Sequence, residues 1–345
     1  GDVQYMFSFA VSQPARLMRD FVHLGFNQDR NGTRVFDGVL NWIGGASGGF
    51  FNYRFAQPHR THRQHIARWF PERQFPFANN VSFDPVTGQT DGRLRRCLAS
   101  DTCPKIFEAN SSNEYWVKAT SLLHTDTSGN DLVDPTNVRF FLFSSFPHSG
   151  GSRQSGKGRC QQPRNTVVAG AGLRALMVSL DQWVSAGTPP PASRVPRRAD
   201  GTLVSPLPRE MLGFPKIPGV HYDGLMSTGD LLEFGSSANL GILSVLPPKV
   251  TSPYTAFVPK TDTDGHDVAG IRFPEIEVPL ASHTGWGVRS SEYAGNDLCD
   301  ASGQRIPFSE TKAARLAVAD PRLSIEERYE SREAYVRLVT EAARA

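Results

Sequence analysis

An apolar run that breaks at a serine and turns at once into a helix constrains this chain more than any other stretch. Residues 3–11 read Val-Gln-Tyr-Met-Phe-Ser-Phe-Ala-Val, partly β-branched and aromatic, which favours a strand. Ser12 marks a corner. Leu17, Phe21 and Leu24 then recur at i, i+4 and i+7, with Met18 and Val22 widening the apolar stripe, so a helix is expected. Pro14 fits a first helical turn, where its missing N–H has no partner to lose. A serine at a strand-to-helix corner has two readings. It is an N-cap, or it is a nucleophile lifted above the sheet edge, with the next N–H aimed at a developing oxyanion. Ala10-Val11-Ser12-Gln13-Pro14 keeps one of the two small flanking positions that a nucleophile elbow favours. Taken alone, these five residues favour the N-cap.

The 345 residues suffice for a large core, and a net charge of 37 − 34 = +3 gives no strong pull toward nucleic acid or a membrane surface. The 22 Phe, 31 Gly and 25 Pro suit an α/β protein with long ordered loops rather than a coiled coil or a disordered chain. No apolar run reaches the length of a membrane span.

The four cysteines fall in polar, loop-like surroundings. Cys97 and Cys103 bracket a short loop that a local bridge can close, which leaves Cys160 and Cys299 as a second pair. An even count in loops points to two disulfides and an oxidising compartment, periplasmic or secreted. The spacing fits no zinc pattern, and no cofactor is expected.

Further strands are expected at 35–43, 105–110 and 138–143, with a helix that follows Ser111–Trp116 and runs to about His124 and another along Leu173, Leu176, Leu180 and Trp183. Strands alternating with helices argue for a parallel sheet with crossovers. Residues 46–96 lack periodicity and are expected to be a lid insertion over the site. A core over 1–187 and a Pro/Gly-rich extension over 188–345 are expected. The extension should close on a last helix, introduced by the capping box Ser324–Glu327 and packed on the core.

Active residues in such sheets lie just past the carboxyl ends of strands. Ser12, Glu114 and His148 each follow an expected strand, and the order serine, acid, histidine is that of the α/β hydrolases. This shifts the reading of Ser12 to a nucleophile. Asp126 and Asp131 are rival acids that lie past a helix, and Glu108 lies inside a strand.

Several stretches also resemble a bacterial family of alpha/beta hydrolase domain proteins. They include Ser12-Gln13-Pro14-Ala15-Arg16-Leu17-Met18-Arg19-Asp20-Phe21, similar to the family's S-Q-S-G-R-F-L-R-D-F. Asn52-Tyr53-Arg54-Phe55-Ala56-Gln57-Pro58, Asn110-Ser111-Ser112-Asn113-Glu114-Tyr115-Trp116, Ala269-Gly270-Ile271-Arg272 and Thr284-Gly285-Trp286 are others. The resemblance implies an α/β-hydrolase fold with Ser12 as nucleophile, His148 as base and Glu114 as acid. Pro14 and Ala15 depart from the family's Ser-Gly. In this fold the nucleophile normally follows the fifth strand, so the earlier strands and the second oxyanion donor are expected from an N-terminal fragment or a second chain. Otherwise the first strand would be a bare sheet edge.

The expected activity is hydrolysis of a small carboxylic ester through a Ser-His-Glu triad, with the Gln13 N–H in the oxyanion hole. The alternative is a catalytically weak binding or structural subunit. Arg54, Phe50, Phe51 and Trp69 are candidate substrate contacts. His59, His62 and His65 read as a basic segment rather than a metal site, and residues 262–267 as a polar turn rather than a calcium loop.

Overall fold

The computed structural model describes residues 2–46, 48–49, 75–152, 154–227, 230–240, 242–245, 248–295 and 297–344. At its centre is a four-stranded parallel sheet in the order β1 (Phe7–Val11), β2 (Gly38–Trp42), β5 (Lys105–Ser111), β6 (Val138–Phe143). The strands are short and rich in Val, Leu, Ile and Phe. The inner strands are buried along most of their length, as a parallel sheet covered on both faces requires. β1 is an edge strand among the described residues, and Phe9 is 49% exposed.

Helix α1 (Gln13–His23) follows β1 directly. Of the expected stripe Met18 and Val22 are buried, with Ala15 and Arg19 beside them, whereas Leu17 and Leu24 are exposed. The corner at Ser12 sets this phase. In this phase Arg19 is buried and pairs with Glu108.

Between β2 and β5, residues 75–99 hold a hairpin, β3 (Ser82–Asp84) and β4 (Gln89–Asp91), and a short helix, α2 (Arg95–Ala99). Phe77, Leu94 and Cys97 are buried in the main core here, with the Phe77 ring edge-on to Tyr254. Phe77 and Leu94, which fall within the expected lid, are thus part of the core, and residues 50–74 lie outside the described residues.

After β5, helix α3 (Ser112–Lys118) ends early. Ala119 adopts a left-handed conformation, and a separate 3-10 turn spans Thr120–Leu123. The long helix α4 (Gly170–Ser185) buries Leu176, Leu180 and Trp183 against the other face of the sheet. The chain beyond it has little periodicity but returns to the sheet. Arg194 and Ile271 each form a parallel bridge to β6, at Phe141 and Phe143. The Ser324 capping box starts a helix of four residues, Ile325–Arg328, and the terminal helix Arg332–Arg344 is separate from it.

Both cysteine pairs stand at disulfide distance: Cys97–Cys103 with Cα atoms 4.7 Å apart, and Cys160–Cys299 at 5.5 Å. Cys97 lies on α2 rather than in a loop. Among the described residues no helix is long and apolar enough to cross a membrane. The bridges are compatible with a secreted or periplasmic protein.

Candidate active site

Ser12 lies at the carboxyl end of β1 with φ 60° and ψ −112°. This region is sparsely populated for a residue with a Cβ, and holding it costs about 1–3 kcal/mol. The turn persists because its N–H donates to Trp42 O at 2.8 Å and its carbonyl accepts from Arg16 N–H at 3.3 Å. The hydroxyl does not cap α1. It lies 3.2 Å from His148 Nε2 instead. Gln13 N–H is the first amide of α1, so no carbonyl of its own helix can reach it.

The two departures around the corner are accommodated locally. Pro14 occupies the first turn, where it removes no helical bond. Ala15 is fully buried, and its methyl faces Gly44, where a Cβ would stand 3.2 Å from it.

Beneath the corner, Arg19 and Glu108 form a buried ion pair. Arg19 Nε donates to both Glu108 oxygens at 3.0 Å, and its terminal nitrogens donate to Glu108 Oε2 and to Gly45 O. Glu108 Oε1 also accepts from Asn41 Nδ2 at 3.1 Å. Gly45 has φ 63°, and a Cβ there would meet Lys118 Cβ at 2.2 Å, so the glycine is required. Buried charges with this many partners resist separation, which fixes α1 and the turn after β2 relative to the sheet.

His148 lies past the end of β6. Its Nδ1 faces Glu114 Oε1 at 2.5 Å. Glu114 is fully buried at the third position of α3, and its second oxygen accepts from Ser111 N–H at 3.2 Å and Ser111 Oγ–H at 2.5 Å. Burial opposes the Glu114 charge. His148, Lys118 and the Ser111 hydroxyl outweigh that and hold the carboxyl below its ordinary value.

The rival acids are occupied elsewhere. Asp126 accepts from the N–H groups of Ser128 and Asn130 in its own turn, and Asp131 accepts from Arg198 N–H and Ala199 N–H. Ser12, His148 and Glu114 thus form one hydrogen-bonded series, with the imidazole between hydroxyl and carboxylate. Such a series can take the proton of the serine hydroxyl as the oxygen attacks. Phe50, Phe51, Arg54, Trp69, His59, His62 and His65 lie outside the described residues.

The turn at 262–267 is closed by arginines. Asp262 pairs with Arg272 at 3.2 Å, and Asp264 pairs with Arg328. Among the described residues no group of three or more His, Cys, Asp or Glu side chains could hold a metal ion.

Ser111, Asp267 and Gly285 were expected only as parts of longer stretches, and neither they nor Asn165 were given a role at the site. Only Ser111 had a local signal, the capping-box spacing Ser111-x-x-Glu114. Asn165 Nδ2 donates to Ser145 O and Thr284 O, and Gly285 O accepts from Asn113 Nδ2 at 2.6 Å, contacts made across more than a hundred residues in two of the three cases.

A parallel sheet with a strained serine turn at the end of a strand, and a histidine past a later strand, defines the class of the α/β hydrolases. A family model described as alpha/beta hydrolase domain matches residues 1–345, and the chain belongs to that family. Searches of curated proteins and of solved structures each found no match.

Proposed function

We propose that the chain is a serine hydrolase that cleaves small carboxylic esters through an acyl-enzyme. The observation that carries this reading is the series Ser12 Oγ, His148 Nε2, His148 Nδ1, Glu114 Oε1, with spacings of 3.2 Å and 2.5 Å. It is built on a serine whose strained backbone frees the hydroxyl from capping its helix.

Ser12 Oγ attacks the ester carbonyl while His148 Nε2 takes its proton. The carbonyl oxygen becomes an oxyanion and accepts from Gln13 N–H. As the intermediate collapses, His148 returns the proton to the departing alkoxide, and an alcohol leaves. Water then attacks the acyl-enzyme by the same route, His148 taking its proton and giving it to Ser12. Glu114 stays ionised throughout. It holds Nδ1–H in place and stabilises the imidazolium.

The test is labelling with a fluorophosphonate, followed by peptide mapping, together with turnover of p-nitrophenyl esters and matching anilides. Labelling at Ser12 with ester turnover is the expected result. A chain that neither labels nor turns over esters would instead be a binding or structural subunit.

A further inference from the structure

The loop that carries His148 belongs to neither a helix nor a strand, yet it must hold the imidazole against two partners at once. Its second residue, Ser145, has φ 64°. A non-glycine residue there is strained and needs something to hold it. The partner is Asp267, which is distant in sequence. Ser145 N–H donates to Asp267 Oδ2 at 2.6 Å, and Asp267 N–H donates to Ser145 Oγ at 2.8 Å. Both residues are buried.

The neighbours continue the same join. Ser144 N–H donates to Ile271 O at 3.0 Å, its hydroxyl donates to Ala269 O at 2.5 Å, and Ile271 N–H donates to Leu142 O at 2.7 Å. On the far side, Ser145 O accepts from Asn165 Nδ2 at 2.8 Å. The next residue, Phe146, accepts from Asn113 N–H on α3, the helix that carries Glu114. The N–H, the carbonyl and the hydroxyl of Ser145 are therefore all engaged, two residues before Pro147 turns the chain into His148.

We propose that Asp267 is a positioning residue: its reciprocal pair with Ser145 sets the left-handed turn that keeps the His148 ring on Ser12 and Glu114 together. The proposal rests on the reading of His148 as the base for Ser12. Asp267 touches none of the reacting atoms and acts through the backbone of the loop. Burial works against its charge, while the Ser145 N–H, the Ser112 hydroxyl and Arg272 favour it. The Ser112 hydroxyl acts from nearby, without meeting hydrogen-bond geometry.

The test compares Asp267→Ala, Asp267→Asn and Ser145→Ala in the full chain. One readout is kcat and KM on p-nitrophenyl butyrate. The other is the downfield proton resonance of the His148–Glu114 hydrogen bond, which needs no turnover. Asp267→Ala should lower kcat by roughly ten- to a hundredfold, the cost of a reacting group displaced by about an ångström. KM should stay within about twofold, because ground-state binding is untouched. The downfield resonance should broaden. Asp267→Asn keeps an acceptor for Ser145 N–H and should recover most of kcat and a sharp resonance.

A folded Asp267→Ala with parent kcat and a sharp resonance would overturn the proposal. So would an Asn variant as impaired as the Ala variant. If Asp267→Ala does not fold, Ser145→Ala decides: a broadened resonance supports the proposal and an unchanged one refutes it. A parent that fails to label with fluorophosphonate, while its resonance still depends on Asp267, would remove the esterase reading and leave the positioning role standing.

Discussion

Glu114 meets His148 with one carboxylate oxygen while the other closes a capping box with Ser111. Oε1 lies 2.5 Å from His148 Nδ1, and Oε2 accepts both the hydroxyl and the N–H of Ser111. The helix start that fixes the carboxylate is thus the same contact that leaves its other oxygen free for the imidazole. Glu114→Gln keeps an acceptor for Ser111 and should fold with a near-parent thermal midpoint. It should lower kcat on p-nitrophenyl esters by about a thousand- to ten-thousandfold, since an amide no longer enforces the Nδ1–H tautomer of His148. A loss of less than tenfold would take Glu114 out of the acid role.

The corner at Ser12 separates activity from stability. Ser12→Ala should lower ester turnover on the order of a thousandfold or more and abolish fluorophosphonate labelling. It retains a Cβ at φ 60°, so the strain stays. Ser12→Gly should be equally inactive but more stable than Ser12→Ala by about 1 kcal/mol in urea titration, because glycine adopts that backbone freely. Equal stability of the two variants would mean that the turn stores no strain.

The two cysteine pairs should differ in what they stabilise. Cys97 and Cys103 are separated by 6 positions, and Cys160 and Cys299 by 139. On loop-closure entropy alone the short bridge contributes about 2 kcal/mol and the long one about 5 kcal/mol. Cys160→Ser should therefore lower the denaturant midpoint more than Cys97→Ser does. Peptide mapping without reductant should find both bridges and no alkylatable thiol.

Asp267 gives stability a slope with pH. Burial pushes its carboxyl up to about 7, above the ordinary 3.8. The folded state therefore binds its proton more tightly than the unfolded chain does. The stability this contributes is present in full below about pH 4 and is lost as pH rises toward 7. Asp267→Asn has no charge to bury, so its stability relative to the parent should rise between pH 4 and 8, read as the difference in urea midpoints. A difference that stays flat across that range would mean that Asp267 ionises as readily in the folded protein as in the unfolded one.

Much of the sheet was legible because its strands carry the signal in their own residues. Val138–Phe143 was read with the limits the structure has, and Leu176, Leu180 and Trp183 gave away the buried face of α4. The hairpin at Ser82–Asp84 and Gln89–Asp91 was not legible, since strands of three polar-rich residues show no alternation. The stripe on α1 was legible only in part: Met18 and Val22 are buried as expected, but Arg19 looks like a surface residue until Glu108 is placed beside it. At the site, Ser12, Glu114 and His148 stood out by their position after strands. The groups that bond the start of the loop before His148 come from residues 165, 267 and 271, and no local pattern links those to residues 144 and 145.

The join between the histidine loop and the later chain bears on how such an enzyme can be cut and rebuilt. Every side chain placed in the chemistry lies within the first 148 residues, whereas Asn165, Asp267 and Ile271 supply the contacts that aim one of them. Ser149 N–H also donates to Ala301 O, two positions beyond Cys299 and its bridge to Cys160. A fragment ending in the proline-rich stretch after α4 would keep Ser12, Glu114 and His148 and lose the contacts proposed to aim the last of them. Shuffling the late segment between relatives would then act on catalytic rate before it acted on substrate choice, which makes that segment a place to tune speed without touching a reactive group.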